Sequence, residues 1–410
     1  MRRIVFAGIA LLAAGAFLPE AAGAAPDTLI WHGDHLAAIR GGQRNEHIDL
    51  ALATLKVKTR AAQKNGVYSV VDKKLVPASG DRHDYASFGR YWWPNPNTPD
   101  GLPYVRRDGE VNPQMLAAGD RVRLSRFCDD VEACALAGYL LKDDRAADYA
   151  ARLVRVWFLE KATQMRPRLR YAQAVPGRTE GRGAGVLDAR NFLRIIDSIA
   201  CLRACDAWSD DDQAALIAWF AEYLQWLRTS PIADDERSAN NNHGVWFDAQ
   251  EAGVACFVGE ADYAAQVLKK ACAERLPHSL DGQGRQPHEL TRTQSLHYSM
   301  FTMEAWFVLA RLGERLDIDV WDAVTEDGVG LRAGLRYPAW HLTRQDEWPH
   351  PMLSRYQLSD GAMSVLMLAA DRWGDAVFLQ AINEAPRKPD GRAFAALRFR
   401  PPPHENSAGN

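Results

Sequence analysis

Beyond its first two dozen residues the chain has no run of about 18 apolar residues, so no membrane anchor is expected. No CxxC pair and no HExxH helix are present, which removes the common zinc signatures. There is no GxSxG elbow and no phosphate loop. Charge of one sign is lacking too: 49 Lys and Arg face 52 Asp and Glu, a net of -3. That balance gives no sign of a nucleic-acid partner, and a polyanionic ligand would need a local basic patch. Strand-like alternation is scarce, no fixed period marks a solenoid, and no shift in composition marks an interior domain boundary. Cysteine is sparse. Cys128, Cys134, Cys201, Cys205, Cys256 and Cys272 fall mostly inside helical-looking runs, which reads as small buried apolar residues rather than a disulfide frame.

What is present begins with a processing signal. Met1-Arg2-Arg3 is a basic start, Ile4 to Leu18 is apolar, and Ala22-Gly23-Ala24 supplies small residues for cleavage before Ala25. Residues 1–24 are therefore expected to be a signal peptide and the mature protein to be exported, with the periplasm as its address in a Gram-negative host. Export permits disulfides. The Pro-rich, polar stretch 400–410 is expected to be a flexible tail.

At 410 residues, 47% of them hydrophobic, the chain can build one large domain or two medium ones. After Glu110, apolar residues recur at helical spacing over 115–141, 146–158, 191–208, 211–226, 245–258, 262–273, 295–312 and 359–373. Gly328 and Gly330 weaken a further candidate over 324–337. Helices of this length with short joints predict stacked hairpins. The economical closure is an all-α, single-domain fold over residues 25–399, an incomplete α/α toroid built as a barrel of helical hairpins.

The most informative stretch is Asn240-Asn241-Asn242-His243-Gly244-Val245-Trp246, where three amides run into a histidine and a helix begins. An Asn is expected at the cap. Unpaired N–H groups at such an end suit an anion, so Asn242 and His243 stand where a carboxylate can dock. A histidine there titrates near neutrality and can move a proton.

Three long irregular segments carry the remaining candidates. The first holds Tyr91-Trp92-Trp93-Pro94-Asn95-Pro96-Asn97, whose rings suit the apolar faces of sugars or else fill core under a loop. The second carries Arg166, Arg168, Arg170, Arg178, Glu180, Arg182 and Arg190 among glycines 177, 181, 183 and 185. A solvated basic face explains any single arginine, while the glycines favour close approach of a ligand to the cluster. The third contains His288, Glu289, Arg292, Ser295, His297 and Tyr298. Ser295 is placed to cap the following helix. A tyrosine beside an arginine is expected to lose its proton more easily than a free phenol, with a satisfied core tyrosine as the plain alternative. His288 and His297 make no metal signature, and neither a metal nor a cofactor is expected.

Together, Tyr91 to Asn97, Tyr171 to Gly183, Asn241-Asn242-His243-Gly244 and Arg292 to Tyr298 resemble the helical alginate lyases, polysaccharide lyases with an α/α toroid. The resemblance implies β-elimination on an anionic polymer of uronic acids, with mannuronate-rich alginate as the first expectation. It places carboxylate neutralisation and proton transfer on Asn242, His243, Arg292 and Tyr298. Tyr91, Trp92, Arg178, Arg182 and His297 are the candidate substrate-binding residues. Two rival readings stand beside it. A glycoside hydrolase would need two facing carboxyls drawn from Asp234, Asp235, Glu236 and Glu289. A non-catalytic periplasmic polysaccharide-binding protein would share the aromatic and basic loops but not need the His/Tyr pair.

Overall fold

A computed structural model describes residues 25–389 and 392–402. The expected signal peptide and the end of the tail, 403–410, lie outside the described residues. Within them the chain is helical with four strands of two to four residues.

The wall of the fold is a ring of helices, each packed on the next. In chain order they are Glu46–Gln63, Arg121–Leu141, Phe192–Arg203, Asn242–Phe257, Ser295–Arg315, Asp360–Trp373 and Ala393–Arg398, and the last packs back on the first. Helices Asp144–Val154, Asp210–Thr229, Ala261–Lys270 and Leu331–Leu342 pack against this ring as hairpin partners. This is the expected α/α toroid. One position in its wall is held by a helix of only 6 residues.

Sequence explains which helix goes where. In Asn242–Phe257 every residue from Gly244 to Ala255 is buried, so the helix sits inside, and its buried Asp248, Gln250 and Glu251 are met by Arg275, the Trp246 carbonyl and Arg237. In Asp144–Val154 the buried residues Ala146, Ala147, Ala150, Ala151 and Val154 form one stripe, while Asp144, Arg145, Asp148 and Arg152 face out. That helix covers the outer side. The same pattern runs earlier than Glu110: Ile48, Ala51, Leu52, Leu55 and Ala62 bury one face of Glu46–Gln63, capped by Asn45.

The weak candidate over 324–337 shifts to Leu331–Leu342, because Val324 and Gly330 form an isolated bridge ahead of it. No disulfide joins the six cysteines. Among the described residues no helix is long and apolar enough to cross a membrane. The start of the expected tail is ordered by contact: the Arg400 N–H donates to His32 Nδ1 at 3.2 Å, and Pro401 and Pro402 are buried.

Candidate active site

The helices Asn242–Phe257 and Ser295–Arg315 pack together, and their first turns lie side by side. Trp246 Nε1 donates to the Phe301 carbonyl at 3.1 Å, and the two rings lie 5.2 Å apart. This pairing brings the asparagine-histidine start to the third loop, 47 residues later in the chain by the Asn242–Glu289 contact.

Asn241 is the cap, its side chain accepting from the His243 N–H at 3.1 Å. The next step departs from expectation. The anion at this helix end is the protein's own Glu289, whose Oε1 accepts from the Asn242 backbone N–H at 2.6 Å. Asn242 Nδ2 also donates to both Glu289 oxygens, at 3.1 and 3.0 Å. Asn242 is fully buried and its Oδ1 has no partner. Its amide therefore ties the third loop to the helix before any sugar arrives. Burial, chiefly, pushes the Glu289 carboxyl up, against the pull of the Asn242 donors and Arg292.

His243 is more open, with 21% of its side chain exposed. Its Nδ1 lies 2.6 Å from Glu236 Oε1. Donation from Nδ1 to that carboxylate leaves Nε2 as an acceptor, the form a base needs. Glu236 sits in the short helix Pro231–Arg237, seven residues before its partner, and is buried. Among the four carboxyls weighed for hydrolysis, Glu236 and Glu289 are thus engaged by His243 and Asn242. Asp234 pairs with Arg237 and Asp235 accepts from the Gly183 N–H.

Tyr298 occupies the first turn of Ser295–Arg315 and is 5% exposed. Its hydroxyl lies 2.9 Å from that of Tyr91. The Arg292 guanidinium stands over its ring at 3.8 Å and makes a fork to Asp108, through Nη2 at 2.8 Å and Nε at 3.1 Å. The expected easy loss of the Tyr298 proton is not what this environment gives. Burial and the neighbouring Tyr91 raise its pKa, and they outweigh Arg292 and Arg90. Tyr298 rests as a neutral phenol. Ser295 does not cap the helix either: Gln294 holds that position, while Ser295 donates to the Pro351 carbonyl at 2.6 Å and accepts from Trp348 Nε1 at 2.8 Å.

His297 is half-buried and stacks on Phe301 at 6.0 Å. Burial, then Arg90, Lys388, Arg190 and Arg292, lower its pKa to about 4, so it is neutral at neutral pH. Trp92 and Trp93 are both half-buried. Two guanidiniums stand over the Trp92 ring, Arg178 at 5.3 Å and Arg182 at 5.8 Å. Arg107 stands over Trp93 at 5.2 Å.

The basic second loop divides in two. Arg166 pairs with Asp81, and Arg168 with Asp84. Arg178, Arg182 and Arg190, together with Arg90 from the first loop, have no carboxylate within ion-pair distance among the described residues. Arg178 donates to the Tyr104 carbonyl at 2.8 Å. Arg182 is held by Gln173, donating to its side-chain oxygen at 2.8 Å and its carbonyl at 3.2 Å. Gln173 has φ of 50°, a left-handed backbone few non-glycine residues adopt. Its Nε2 donates at 3.0 Å to Asp188, which also accepts from Tyr85 and Ser87 and pairs with Arg121 at 3.1 Å. The glycines of this loop serve the protein's own packing: a Cβ on Gly181 would meet the Arg170 carbonyl, and one on Gly183 the Asp235 carboxylate.

The structure thus links His243, Asn242, Arg292, Tyr298 and Tyr91 through Glu289 and the two helix starts. Arg182 and Trp92 sit beside them, since Arg182 and Glu236 lie close enough for their charges to act on each other. Arg178 is at the exposed rim, beside a separate groove of about 430 Å³ lined by Leu75, Val76, Phe88, Pro176 and Thr179. Sequence reasoning did not single out Asp108, Arg121, Gln173 or Asp188, or Glu236 as a partner of His243. Only Glu236 offers a local signal, two turns before the histidine. Among the described residues no group of three or more His, Cys, Asp or Glu is arranged to hold a metal.

A family model described as alginate lyase matches residues 69–348. An alginate lyase from Bacteroides ovatus, known by crystal structure, is 31% identical, with 92% of this chain and 99% of that one covered and a TM-score of 0.85. Alginate lyase A1-III from Sphingomonas species A1 is 15% identical over 91% of this chain and 96% of its own, with a TM-score of 0.53. A variant of A1-III complexed with a tetrasaccharide is 13% identical over 90% and 94%, at 0.54. The likeness to these last two is one of fold. No curated relative matches the chain.

Proposed function

The chain belongs to the alginate lyase family and is a polysaccharide lyase, and from that premise we propose that it cleaves mannuronate-rich alginate by β-elimination at the His243–Tyr298 site. The observation that carries the reading is the pair of proton carriers in opposite states: an imidazole with its Nδ1 engaged by Glu236, and a buried neutral phenol. One is prepared to accept, the other to donate.

The proton at C5 of a uronate lies next to a carboxylate. Removing it builds a second negative charge unless that carboxylate is quenched by fixed donors, each worth about 10²–10³ in rate in comparable sites. The resemblance puts this task on Asn242 and Arg292. Arg182 adds a guanidinium without a carboxylate of its own, which supports an anionic polymer as the partner. The electron pair of the C5–H bond forms the C4=C5 double bond, and O4 leaves with the pair of the C4–O4 bond. Tyr298 protonates O4. Where the C5 proton and O4 leave from opposite sides, His243 Nε2 is the base. Where they leave from the same side, as in mannuronate, the neutral Tyr298 phenol first gives up its proton to solvent as the substrate binds, and the phenolate so formed takes the C5 proton and returns it to O4.

The test follows the ultraviolet absorbance of the conjugated double bond on poly-mannuronate, poly-guluronate and glucuronan. Wild type is expected to act fastest on poly-mannuronate. Tyr298→Phe is expected to abolish turnover and leave binding mostly intact. Near-normal rates in that variant would overturn the assignment, and reducing ends without absorbance would point to hydrolysis. The basic-apolar-small order of residues 1–24 supports export to the periplasm, which fractionation of a host expressing the full chain would check.

A further inference from the structure

We propose that the outer face of the helix Leu331–Leu342 is a second binding surface for the acidic polysaccharide, a row outside the cleft that holds the polymer while the His243–Tyr298 site cuts it. The inference rests on the lyase reading above and deepens it. Along that helix Arg332, Arg336 and Trp340 fall at four-residue steps, so their side chains share one face. All three are exposed, and the row is about 12 Å long at about 1.5 Å per residue. Arg344 extends it, standing over the Trp340 ring at 4.7 Å. Among the described residues Trp340 is the one exposed tryptophan. The opposite face, with Leu331, Leu335, Pro338, Ala339 and Leu342, is buried.

The fold's own needs do not account for these groups. One oxygen of Asp375 accepts from both Arg332 Nη2 at 3.3 Å and Arg336 Nε at 3.2 Å. The other accepts from the Val377 N–H at 3.0 Å and so caps the helix Ala376–Glu384. One carboxylate thus faces two guanidiniums whose side chains are 57% and 58% exposed. Arg344 donates to Gln380, Thr343 and the Trp340 carbonyl, and among the described residues it meets no carboxylate. Beside the row, Asp322 pairs with Arg372, and Glu384 accepts from Gln380. A surplus of guanidiniums with donors to spare, next to an exposed indole, matches a chain whose units carry a carboxylate and apolar C–H faces.

Position links the row to the cleft. A groove of about 840 Å³ runs beside Arg332 and Arg336, lined also by Trp321, Asp322, Gly328 and Trp373. The Trp340 end lies toward the site. Its ring meets His341 at 4.8 Å, His341 meets Trp348 at 4.9 Å, and Trp348 Nε1 donates to Ser295, at the head of the helix that carries Tyr298. Pro338 cannot donate to the Gly334 carbonyl, and Gln286 of the third loop does so instead at 3.3 Å. The row is therefore fastened to the loop that supplies Glu289 and Arg292. A polymer lying on it stays close to the cleft between cuts, which raises its effective concentration there.

The test compares poly-mannuronate with its tetrasaccharide. Arg332→Gln, Arg336→Gln and Trp340→Ser together should raise KM for the polymer about three- to tenfold with kcat unchanged, as loss of a second linked contact does. The same variant should keep kcat/KM for the tetrasaccharide within about twofold, because a short chain in the cleft does not reach the row. An unchanged polymer KM, or a loss shared by the tetrasaccharide, would overturn the proposal. In a Tyr298→Phe background, which spares the polymer, the protein should be retarded in a native gel cast with poly-mannuronate, and less so once the row is removed. Equal retardation would also count against it. If the triple variant does not fold, Trp340→Ser with Arg344→Gln leaves Asp375 both its partners, and the same outcomes decide. Absence of unsaturated product from wild type would instead sink the lyase reading, while the gel would still report on the row, so the two failures are distinguishable.

Discussion

Two aromatic regions of the molecule use the same rings to different ends. In one, Phe158, Phe192, Trp219, Phe220 and Tyr223 pack ring on ring, with centroids 4.6 to 6.5 Å apart and, among the described residues, no cation over any of these rings. In the other, rings face guanidiniums: Tyr91 under Arg90, Tyr298 under Arg292, Trp92 under Arg178 and Arg182, and Phe301 under Arg190 at 5.2 Å. Edge-to-face pairs add about 0.5–1.5 kcal/mol each beyond the burial of their area. A guanidinium on a ring contributes about 0.5–2 kcal/mol but remains a charge with donors to spare. The first region is a source of stability. The second stores positive charge at low cost, because the ring faces partly replace the water a cation would otherwise need.

Three changes would break or sharpen that contrast. Trp219→Ala should cost about 3–5 kcal/mol of folding stability, the range for removing a large buried ring, while the folded fraction keeps its specific activity. Denaturant melts and turnover per folded molecule check this, and a selective loss of turnover would merge the two regions. Arg182→Gln should leave melting nearly unchanged and raise KM about 10- to 100-fold, as expected for about 1.5–3 kcal/mol from a charge-assisted hydrogen bond. Its KM should also respond less to added salt. An unchanged KM and salt response would mean that Arg182 serves Gln173 and Trp92 only.

The smallest effect concerns Glu304, half-buried behind the charged region with Arg190 as its largest charge partner. Burial raises its pKa to about 7, against Arg190 and the Ser359 hydroxyl. A carboxyl raised in the folded state holds its proton more tightly there than in the unfolded chain. Its contribution is therefore full below the ordinary carboxyl value of about 4.3 and is lost as pH rises through about 7. Glu304→Gln should remove that slope, so the difference between variant and wild-type melting temperatures should change across pH 4.5 to 7. Parallel curves would show that Glu304 does not titrate there.

Much of the fold was legible because helix burial leaves a periodic trace. The apolar residues recurring after Gly244 and the one-sided stripe of Asp144–Val154 are visible as patterns of residue type. The start of the Asn242–Phe257 helix was legible too, since an asparagine cap is a local device. Glu289 as the occupant of that helix end was not, because the contact joins segments 47 positions apart. Ser295 looked like a cap, yet the Pro351 carbonyl and Trp348 claim its hydroxyl. In the second loop, glycine density suggested an approaching ligand, and the approaching atoms are those of Arg170 and Asp235.

By itself the order of residues determined the helical class, the placement of inner and outer helices, and the residue types able to move protons and meet a carboxylate. These follow from propensity, capping and periodicity, which act over a few positions. Only the tertiary structure decided which arginines keep their charge uncompensated, that Asn242 is engaged by Glu289, and that Tyr298 rests protonated beside Tyr91. Those outcomes depend on burial and on distances between charges remote in the chain, and neither quantity exists until the chain has closed its ring.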